Sequence, residues 1–441
     1  MKGAGQATEV DFLRYEFTDY HGISRSKVVP TRRSEGRIRS EKLFVYGGVL
    51  GMTTTSEPVM LDDLLVDGCC RNVRLLPQWE TFRVLPPNGK YKTGRVLCEL
   101  GDLAGDGFLN AYPRTMCRRL LGELEDMGYS IKGAFEYEFT LGKMENGAFT
   151  PFFNDRPTFS TTVFAHCEEL LYDLDRELQV MGIETNTFNL EYGKGQIEIT
   201  IKPVFGIEIA DQAFTFRTTV KEFFARKGLL ATFVCRPLKD TKGASNGGHF
   251  NHSLWAKSSD SRSAFFNDGE LSVVAHRWIS GILKHSKGLE ALFAPTLSCY
   301  NRVKPWSWAP VNASWGGENR TAAVRTKVDG EDGTYLECRA PSASASPYLV
   351  LAGVLAAGIN GLRTTGPVEL PPESQASAYE DETLKLPTSL GESLQALEED
   401  ADLVRSLGPR FVKWFKTVKE HKLSKDNVDE KHVDLDDLSL L

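Results

Sequence analysis

A stretch in which aromatic and acidic side chains alternate strictly is the most informative pattern in the chain. It reads Phe135-Glu136-Tyr137-Glu138-Phe139. As a β-strand it would place its aromatic side chains on one face and both carboxylates on the other. Neighbouring carboxylates repel each other, so burying them requires positive charge between them. Either divalent cations lie against this strand, or it is an edge strand whose polar face is hydrated.

The pattern before this strand predicts a small β-rich unit. Two alternating runs, at residues 12–18 and 23–30, are separated by a turn that contains Asp19 and Gly22, which predicts a β-hairpin. Short extended segments follow at residues 73–76, 81–85 and 95–100, each bounded by Pro or Gly. The first hundred or so residues are therefore expected to form a β-rich domain.

Helical spacing of apolar residues begins at Pro113 and continues to Met127, where Gly128 predicts the end of the helix. Further helices are expected near residues 168–181 and 208–227, with a strand at residues 196–201 between them. This alternation favours an α+β fold built on a largely antiparallel sheet.

The last hundred residues contain four distinct patterns. Residues 347–362 are apolar almost all round, which predicts a buried helix, and residues 366–385 predict a long surface loop. A helix is expected from about residue 389 to 422, with one break at Gly408-Pro409. In the acidic tail that follows, four apolar residues are candidates for docking on the rest of the chain, namely Val433, Leu435, Leu438 and Leu441.

Composition and charge exclude several classes of protein. The net charge of −7 over 441 residues argues weakly against nucleic-acid binding. Met1 to Thr8 lacks the apolar core of a secretory signal, and the longest apolar run, residues 348–359, is too short to cross a bilayer. The eight cysteines include no Cys-x-x-Cys pair, which favours free thiols in a reducing compartment. We therefore expect a cytoplasmic protein without a membrane partner.

Three other segments contain side chains that suit hard cations. Glu191 and Glu198 flank a Gly-rich turn, His249 follows Gly247-Gly248, and Glu337 lies two residues before Arg339. Taken singly, each has an ordinary reading: a turn with acidic flanks, a hydrogen-bonded polar histidine, and a cross-strand ion pair.

Arginines cluster near the last of these segments, at Arg302, Arg320, Arg325 and Arg339. Guanidinium groups bind carboxylates and phosphates with two parallel hydrogen bonds. Arginines beside a set of carboxylates suggest metal-bridged phosphoryl transfer. No P-loop motif is present, so an ATP site would need another architecture.

Taken in order, these segments resemble the glutamine synthetases. The resemblance covers nearly the whole chain and implies the fold of that family, with an N-terminal β-grasp domain at residues 1–110 and a catalytic domain with a curved antiparallel sheet at residues 111–441. Residues 17–27, 81–86 and 283–286 are most similar to a vertebrate eye-lens member of the family.

The resemblance also implies a role for each candidate residue. One Mg²⁺ or Mn²⁺ would be held by Glu138, Glu191 and Glu198, and a second by Glu136, His249 and Glu337. Arg302 would bind the substrate glutamate, and Arg339 would bind the glutamate carboxyl and the transferred phosphoryl group. The nucleotide contacts would be Arg320 and Arg325 at the phosphates and Ser253 and Trp255 beside the adenosine.

The family's reaction and assembly would follow. The side-chain carboxylate of glutamate would attack the γ-phosphorus of ATP, and an amine would then displace phosphate from γ-glutamyl phosphate. The resemblance implies a homo-oligomer, a dodecamer of two six-membered rings, with each active site between subunits.

The sequence departs from the family pattern mainly in the part of the site where the resemblance implies that ammonia binds. Trp308 occupies the flap position at which the family has a glutamate, and residues 44–48 lack the family's aspartate. Ala244-Ser245 replaces an Asn-Gly pair, and Tyr335 replaces an arginine. Two readings fit. The acceptor is an amine other than ammonia that packs on Trp308 by cation–π contact, or the chain is a catalytically inactive structural or chaperone-like protein of the cytoskeleton, like the lens member.

Overall fold

The computed structural model describes residues 9–33, 43–61, 65–66, 69–70, 72–101, 108–154, 157–238, 245–257, 262–425 and 435–441. Met1 to Thr8, Ala244 and Val433 lie outside the described residues. Two sheets follow each other along the chain, the first formed between residues 12 and 101 and the second between residues 129 and 338.

The N-terminal sheet has the strand order β2-β1-β8-β6-β3, with β7 on β8. The predicted hairpin is confirmed, because β1 and β2 are antiparallel neighbours. Thr18 lies opposite Ser24 next to the turn, and Phe12 lies opposite Pro30 at the far end. Asp19 holds the turn by accepting hydrogen bonds from the backbone N–H groups of His21 and Ile23. The strands in this part of the chain are β1 (Phe12–Thr18), β2 (Ser24–Pro30), β3 (Phe44–Tyr46), β4 (Leu65–Val66), β5 (Cys69–Cys70), β6 (Asn72–Pro77), β7 (Arg83–Val84) and β8 (Thr93–Gly101).

The second sheet has the order β11-β12-β9-β15-β20-β19-β18, and β10, β13 and β14 also pair with β9. All its pairings are antiparallel except that of β18 with β19. Its strands are β9 (Tyr129–Glu145), β10 (Ala148–Pro151), β11 (Thr185–Leu190), β12 (Gln196–Ile201), β13 (Val204–Phe205), β14 (Leu230–Thr232), β15 (Gly248–Ala256), β18 (Trp315–Gly317), β19 (Val324–Lys327) and β20 (Tyr335–Cys338), while β16 (Phe266–Asn267) and β17 (Glu270–Leu271) form a separate hairpin. The strand that carries Glu136 and Glu138 is thus central, and the alternative of a hydrated edge strand is wrong.

Helices cover the apolar face of the second sheet. The helices predicted at residues 113–127, 168–181 and 208–227 are confirmed within one residue at each end. The helices are α1 (Pro113–Asp126), α2 (Thr161–Phe164), α3 (Glu168–Val180), α4 (Glu208–Arg226), α5 (Val273–Lys284), α6 (Ser286–Phe293), α7 (Leu297–Tyr300), α8 (Gly330–Gly333), α9 (Pro347–Arg363), α10 (Leu390–Glu399), α11 (Ala401–Leu407), α12 (Pro409–Lys425) and α13 (Leu435–Leu440).

Helix α9 is buried almost all round, as its sequence predicts. It crosses α5 at very short range, because a Cβ atom at Gly281 would lie 2.1 Å from the carbonyl oxygen of Ala357. A Cβ atom at Gly361 would lie equally close to the carbonyl oxygen of Arg277. Glycine is therefore required on both helices at this crossing.

The C-terminal helical region differs from the prediction in one respect. The break at Gly408-Pro409 is present, but a second break at Asp400 separates α10 from α11. Asp400 accepts a hydrogen bond from the N–H of Leu403 and so starts a new helix, while its other carboxylate oxygen lies 2.7 Å from Nδ1 of His285. This tertiary contact is invisible in the local sequence. Leu438 and Leu441 are buried against Ile23 and Val234, which confirms the docking predicted for them.

The stretch expected to be a surface loop is only partly exposed. Ser374 and Ala378 are buried, and Asn312 donates a hydrogen bond of 2.7 Å to the carbonyl of Ala378. Among the described cysteines, six are free and buried, as expected, namely Cys98, Cys117, Cys167, Cys235, Cys299 and Cys338. No helix within the described ranges is both long enough and apolar enough to span a bilayer.

A buried arginine joins the two sheets. Arg114 in α1 makes two hydrogen bonds of 2.9 Å to Asp211 in α4 and one of 2.7 Å to Glu99 in β8. The hydroxyl of Tyr348 donates to the same aspartate at 2.6 Å. Because a buried charge without its partner is costly, these groups lock β8, α1, α4 and α9 in one arrangement.

Candidate active site

One face of the second sheet collects the candidate metal ligands. In the strand register Glu136 lies opposite His249, and Glu138 lies opposite Glu198. Glu337 lies opposite Arg325 on the next strand pair. Since side chains of a strand alternate between faces, these groups share one face, and the aromatic residues of β9 fill the core behind it.

The first group of ligands is compact. Nδ1 of His249 lies 3.2 Å from Oε1 of Glu136 and 3.6 Å from Oε1 of Glu337. One potential ligand atom from each residue falls within 4.8 Å of the others. His249 and Glu337 are buried and Glu136 is partly buried, so a cation here would be largely shielded from water. The structure thus brings together the three residues expected to hold the second cation.

The second group of ligands is more open. Glu191 and Glu198 lie close enough to Glu138 for its charge to raise their pKa values, but within the described residues the three do not form a trio as tight as the first. Burial, and then the charge of Glu138, raises the pKa of Glu191 to about 7. Burial also raises the pKa of Glu198, with Glu136, Glu138 and Glu191 adding to the effect.

The two groups therefore differ in electrostatic compensation. Burial alone would raise the pKa of Glu136, but its hydrogen bond to His249 and the charge of Arg339 hold the pKa below its usual value. Burial opposes ionisation of Glu337 too, yet Arg339 and His249 lower its pKa. His249 and Arg339 thus supply positive charge to the first group, whereas burial and neighbouring carboxylates raise the pKa values of Glu191 and Glu198, an effect that a bound cation would oppose.

The predicted arginines surround the first group at different depths. Arg325 donates a hydrogen bond of 3.0 Å to Glu337 and also pairs with Glu318. Arg339 pairs with Glu337 and donates to the carbonyl of Trp308 at 3.2 Å. These two buried arginines place positive charge directly beside a candidate metal ligand.

Arg302 and Arg320 form no ion pair with a carboxylate among the described residues. Both terminal nitrogens of Arg302 bond backbone carbonyls, at Ala340 (2.7 Å) and Arg339 (2.9 Å), so this buried side chain fixes the segment after β20. Arg320 is exposed and lines a cavity of about 410 Å³ together with Trp308.

The predicted adenosine contacts lie further along the same face of β15. Nε1 of Trp255 donates a hydrogen bond of 3.0 Å to Ser253. Two residues that the sequence reasoning missed complete this cluster: Nζ of Lys132 lies 4.9 Å from the Trp255 ring centre, and Phe205 contacts that ring edge-on. Lys132 could have been found, because it shares the face of Glu136 and Glu138 at even spacing along β9.

Two amide groups that the sequence reasoning missed donate hydrogen bonds to Glu138: the side chain of Gln196 and the backbone of Gly247. Nε2 of Gln196 donates to Oε2 of Glu138 at 2.9 Å, and the N–H of Gly247 donates to the same oxygen at 2.8 Å. Asn246 is hydrogen-bonded to Gln196 and also to Thr140 and the carbonyl of Val234. This network occupies Oε2 and so leaves Oε1 for a cation. The signal in the sequence was the glutamine within Gly195-Gln196-Ile197-Glu198.

The flap that carries Trp308 has an unusual backbone. Trp306 and Trp308 have φ angles of +66° and +61°, and both side chains are largely exposed. Such angles are uncommon for bulky residues and require outside support. The hydroxyl of Ser307 bonds the carbonyls of Arg302 and Lys304, and Arg339 holds the carbonyl of Trp308. The flap is thus tied to the arginines of the site.

Comparison with known proteins agrees with this geometry. Residues 110–436 match the family model described as the glutamine synthetase catalytic domain. Lengsin from Canis lupus familiaris is 32% identical over 428 residues, covering 95% of this chain and 72% of that protein. A glutamine synthetase from Halobacterium salinarum is 31% identical, covering 95% of this chain and 91% of that protein. A solved structure of GmaS with ADP superposes with a TM-score of 0.83 at 25% identity, over 96% of this chain and 95% of that one.

We predict that divalent cations stabilise the protein more at alkaline than at acid pH. The unfolded chain ionises its glutamates near pH 4.5, whereas Glu191 and Glu198 retain protons at higher pH in the metal-free fold. Stability without metal should therefore fall as the pH rises from about 5 to about 9. Cations bind the ionised carboxylates, so their stabilising effect should grow over the same range.

Thermal unfolding midpoints measured with EDTA and with Mn²⁺ across this range would check the prediction. A Glu191→Gln, Glu198→Gln double variant serves as the control, because it cannot release these protons. The prediction is wrong if the midpoint in EDTA falls equally in the double variant and in the wild type.

We also predict that Gln196→Leu weakens Mn²⁺ binding by about tenfold or more, since it releases Glu138 from its fixed orientation. The change can be measured by titration calorimetry of the metal-free protein. Gln179→Leu, on the exposed surface of α3, is the matched control and should bind Mn²⁺ normally. Equal Mn²⁺ affinity in both variants would remove Gln196 from the site.

Proposed function

The chain belongs to the glutamine synthetase family, and on this basis we propose that it is an ATP- and Mg²⁺- or Mn²⁺-dependent ligase. Glutamate and an amine are its substrates, and the product is a γ-glutamyl amide formed through γ-glutamyl phosphate. The amine is ammonia or a larger amine, and the larger amine is favoured.

The observation that carries this proposal is the single sheet face with five carboxylates and one histidine. Glu191 and Glu198 have raised pKa values because burial and neighbouring carboxylates oppose their ionisation. Such a site costs stability unless cations bind it. Keeping all six side chains is therefore consistent with a working metal centre.

The donor set fits magnesium or manganese, which prefer carboxylate oxygens and accept imidazole. In the proposal Glu138, Glu191 and Glu198 hold one cation, and Glu136, His249 and Glu337 hold the other. The bound cations would neutralise charge on the phosphate oxygens of ATP.

The arginines supply fixed positive charge for the phosphoryl group and the substrate. Arg325 and Arg339 flank Glu337, so their guanidinium groups stand beside the proposed cation ligands and can stabilise charge that develops on transferred oxygens.

The remaining contacts concern glutamate and the nucleotide. Arg320 is proposed to bind the nucleotide phosphates with Arg325, and Arg302 to bind glutamate. Ser253 and Trp255 are proposed to border the adenosine. The similarity to GmaS, which has been solved as a complex with ADP, supports a nucleotide site in this fold.

The acceptor side favours an amine with carbon substituents. Trp308 carries no charge and cannot accept a proton, so it cannot act as the flap glutamate of the family does. Its exposed indole can instead pack against an alkylammonium ion or a polyamine. We propose that Trp308 selects the acceptor, and that the protein works as a cytoplasmic dodecamer of two hexameric rings.

The similarity to lengsin supports a second candidate function. In that case the chain is a catalytically inactive structural or chaperone-like protein that associates with the cytoskeleton of the eye lens. The flap without an acid fits this reading too, because cations alone could stabilise the sheet without turnover.

Phosphate release separates the two functions. We expect release from ATP when Mg²⁺, glutamate and an amine are supplied, tested with ammonium, methylamine, longer alkylamines and putrescine. Glu337→Gln should reduce the rate about 10- to 100-fold through loss of a metal ligand. Glu184→Gln, at an exposed surface pair, is the matched control and should leave the rate unchanged.

Ligand binding then identifies the reason for a negative result. If ATP with Mg²⁺ and methionine sulfoximine raise the unfolding midpoint but no amine supports phosphate release, the lengsin-like function is favoured. If neither ligand raises the midpoint, the ligase proposal fails at its first step.

Trp308→Glu is expected to raise ammonium-dependent turnover about tenfold or more, because it restores a group that can bind ammonium and accept its proton. Turnover with a larger amine should fall in the same variant. Trp306→Glu is the matched control, since Trp306 is also exposed and has the same left-handed backbone. Identical amine preferences in the two variants would exclude a role for Trp308.

A further inference from the structure

A cavity of about 330 Å³ lies where the N-terminal sheet meets α4. Its walls come from β7, β8 and the start of α4, and from the segment that follows α3. Phe205, which contacts Trp255 edge-on, also lines this cavity, whereas the residues proposed to bind metal, glutamate or nucleotide directly do not. Its volume is at the lower end of the range for small-molecule sites, which suits a ligand of amino-acid size.

The back wall of the cavity is charged and rigid. Arg114 is held by Asp211 and Glu99, as described above, and is 2% exposed. Arg95, 4% exposed, donates to Glu16 at 3.1 Å and to the hydroxyl of Thr215 at 2.6 Å. The positive charge of both arginines is thus balanced by carboxylates of the protein itself.

Arg83 is different, because no carboxylate in the described part of the chain pairs with it. Its Nη1 bonds only the backbone carbonyls of Glu80 (3.3 Å) and Phe82 (2.8 Å). The other edge of the guanidinium lies over Gly182, where a Cβ atom would be 3.0 Å from Nε. The guanidinium group of Arg83 therefore lies at the cavity without a carboxylate partner among the described residues, and its Nε and Nη2 groups can donate hydrogen bonds to a ligand.

Two carboxylates at the cavity are exposed and have little pairing among the described residues. Glu80 is 68% exposed, and its ion pair is a long one, 3.9 Å to Arg114, which is already paired with Glu99 and Asp211. Glu208, at the start of α4, is exposed and has no ion pair among the described residues. Apolar side chains fill the remaining wall, namely Leu97, Met181, Ile183, Phe205 and Ile207.

We propose that this cavity binds a free α-amino acid with an apolar side chain. The carboxylate of such a ligand would pair with Arg83, and its ammonium group would pair with Glu80 and Glu208. Its side chain would pack against the apolar wall. A simple anion would meet the two exposed carboxylates, and a simple cation would meet Arg83. A ligand that carries both a carboxylate and an ammonium group pairs with all three side chains. This proposal is independent of the ligase function.

Titration calorimetry on the full-length protein tests the proposal. L-Leucine, L-isoleucine, L-methionine and L-phenylalanine are the probes, and isocaproate and isoamylamine are leucine analogues that lack the ammonium or the carboxylate. We expect at least one of the amino acids to bind and both analogues to bind about tenfold more weakly than leucine or worse.

Variants then locate the binding. Arg83→Gln and the double variant Glu80→Gln, Glu208→Gln should each weaken amino-acid binding about tenfold. Arg118→Gln is the matched control, because Arg118 is a half-exposed arginine that pairs with Glu99 outside the cavity. This variant should bind the amino acid as tightly as the wild type does. The proposal is overturned if no probe binds at millimolar concentration. It is also overturned if an analogue binds as tightly as leucine, or if Arg83→Gln binds like Arg118→Gln.

Discussion

Repulsion among carboxylates on one face of the central sheet is the constraint that governs the arrangement of this molecule. Glu191 and Glu198 lie in a largely buried place beside Glu138, and burial together with the neighbouring carboxylates raises the pKa of both. A fold tolerates this only if cations bind there, or if the carboxylates keep their protons. The neighbouring trio of Glu136, His249 and Glu337 escapes the conflict, because Arg325 and Arg339 stand beside it.

The surrounding structure keeps these groups in place. The antiparallel register of β12, β9, β15 and β20 sets their spacing across the sheet, and the aromatic core behind β9 prevents the strand from turning over. The side-chain amide of Gln196 and the backbone N–H of Gly247 fix one oxygen of Glu138, and Asn246 accepts a hydrogen bond from Gln196. Further away, Arg114 ties the N-terminal sheet to the helix behind the site.

The proposed site has two parts with different relations to the family pattern. The residues proposed to hold cations and phosphoryl oxygens match that pattern, whereas Trp308 lies where the resemblance implies a glutamate. The flap is nevertheless well supported, since Ser307 and Arg339 hold two bulky residues in left-handed conformations. Support of this kind is what bulky residues in left-handed conformations require.

Local sequence patterns were sufficient to predict the individual elements and the charged face. The hairpin at residues 12–30, the helices that begin at Pro113 and Pro347, and the alternation of Glu136 and Glu138 follow from side-chain periods that are written locally. The candidate ligands followed from the family resemblance of the motifs. Long-range packing was needed to establish that β9 is central and that Asp400 interrupts a helix to meet His285. It was also needed to show that Gln196 contacts Glu138 and that Lys132 and Phe205 contact Trp255. It alone brought Arg83, Glu80 and Glu208 to one cavity. The local sequence specifies which side chains of a strand share a face, because side chains alternate along the strand. It does not specify what those side chains contact, because the contacts come from strands and helices that are distant in the chain.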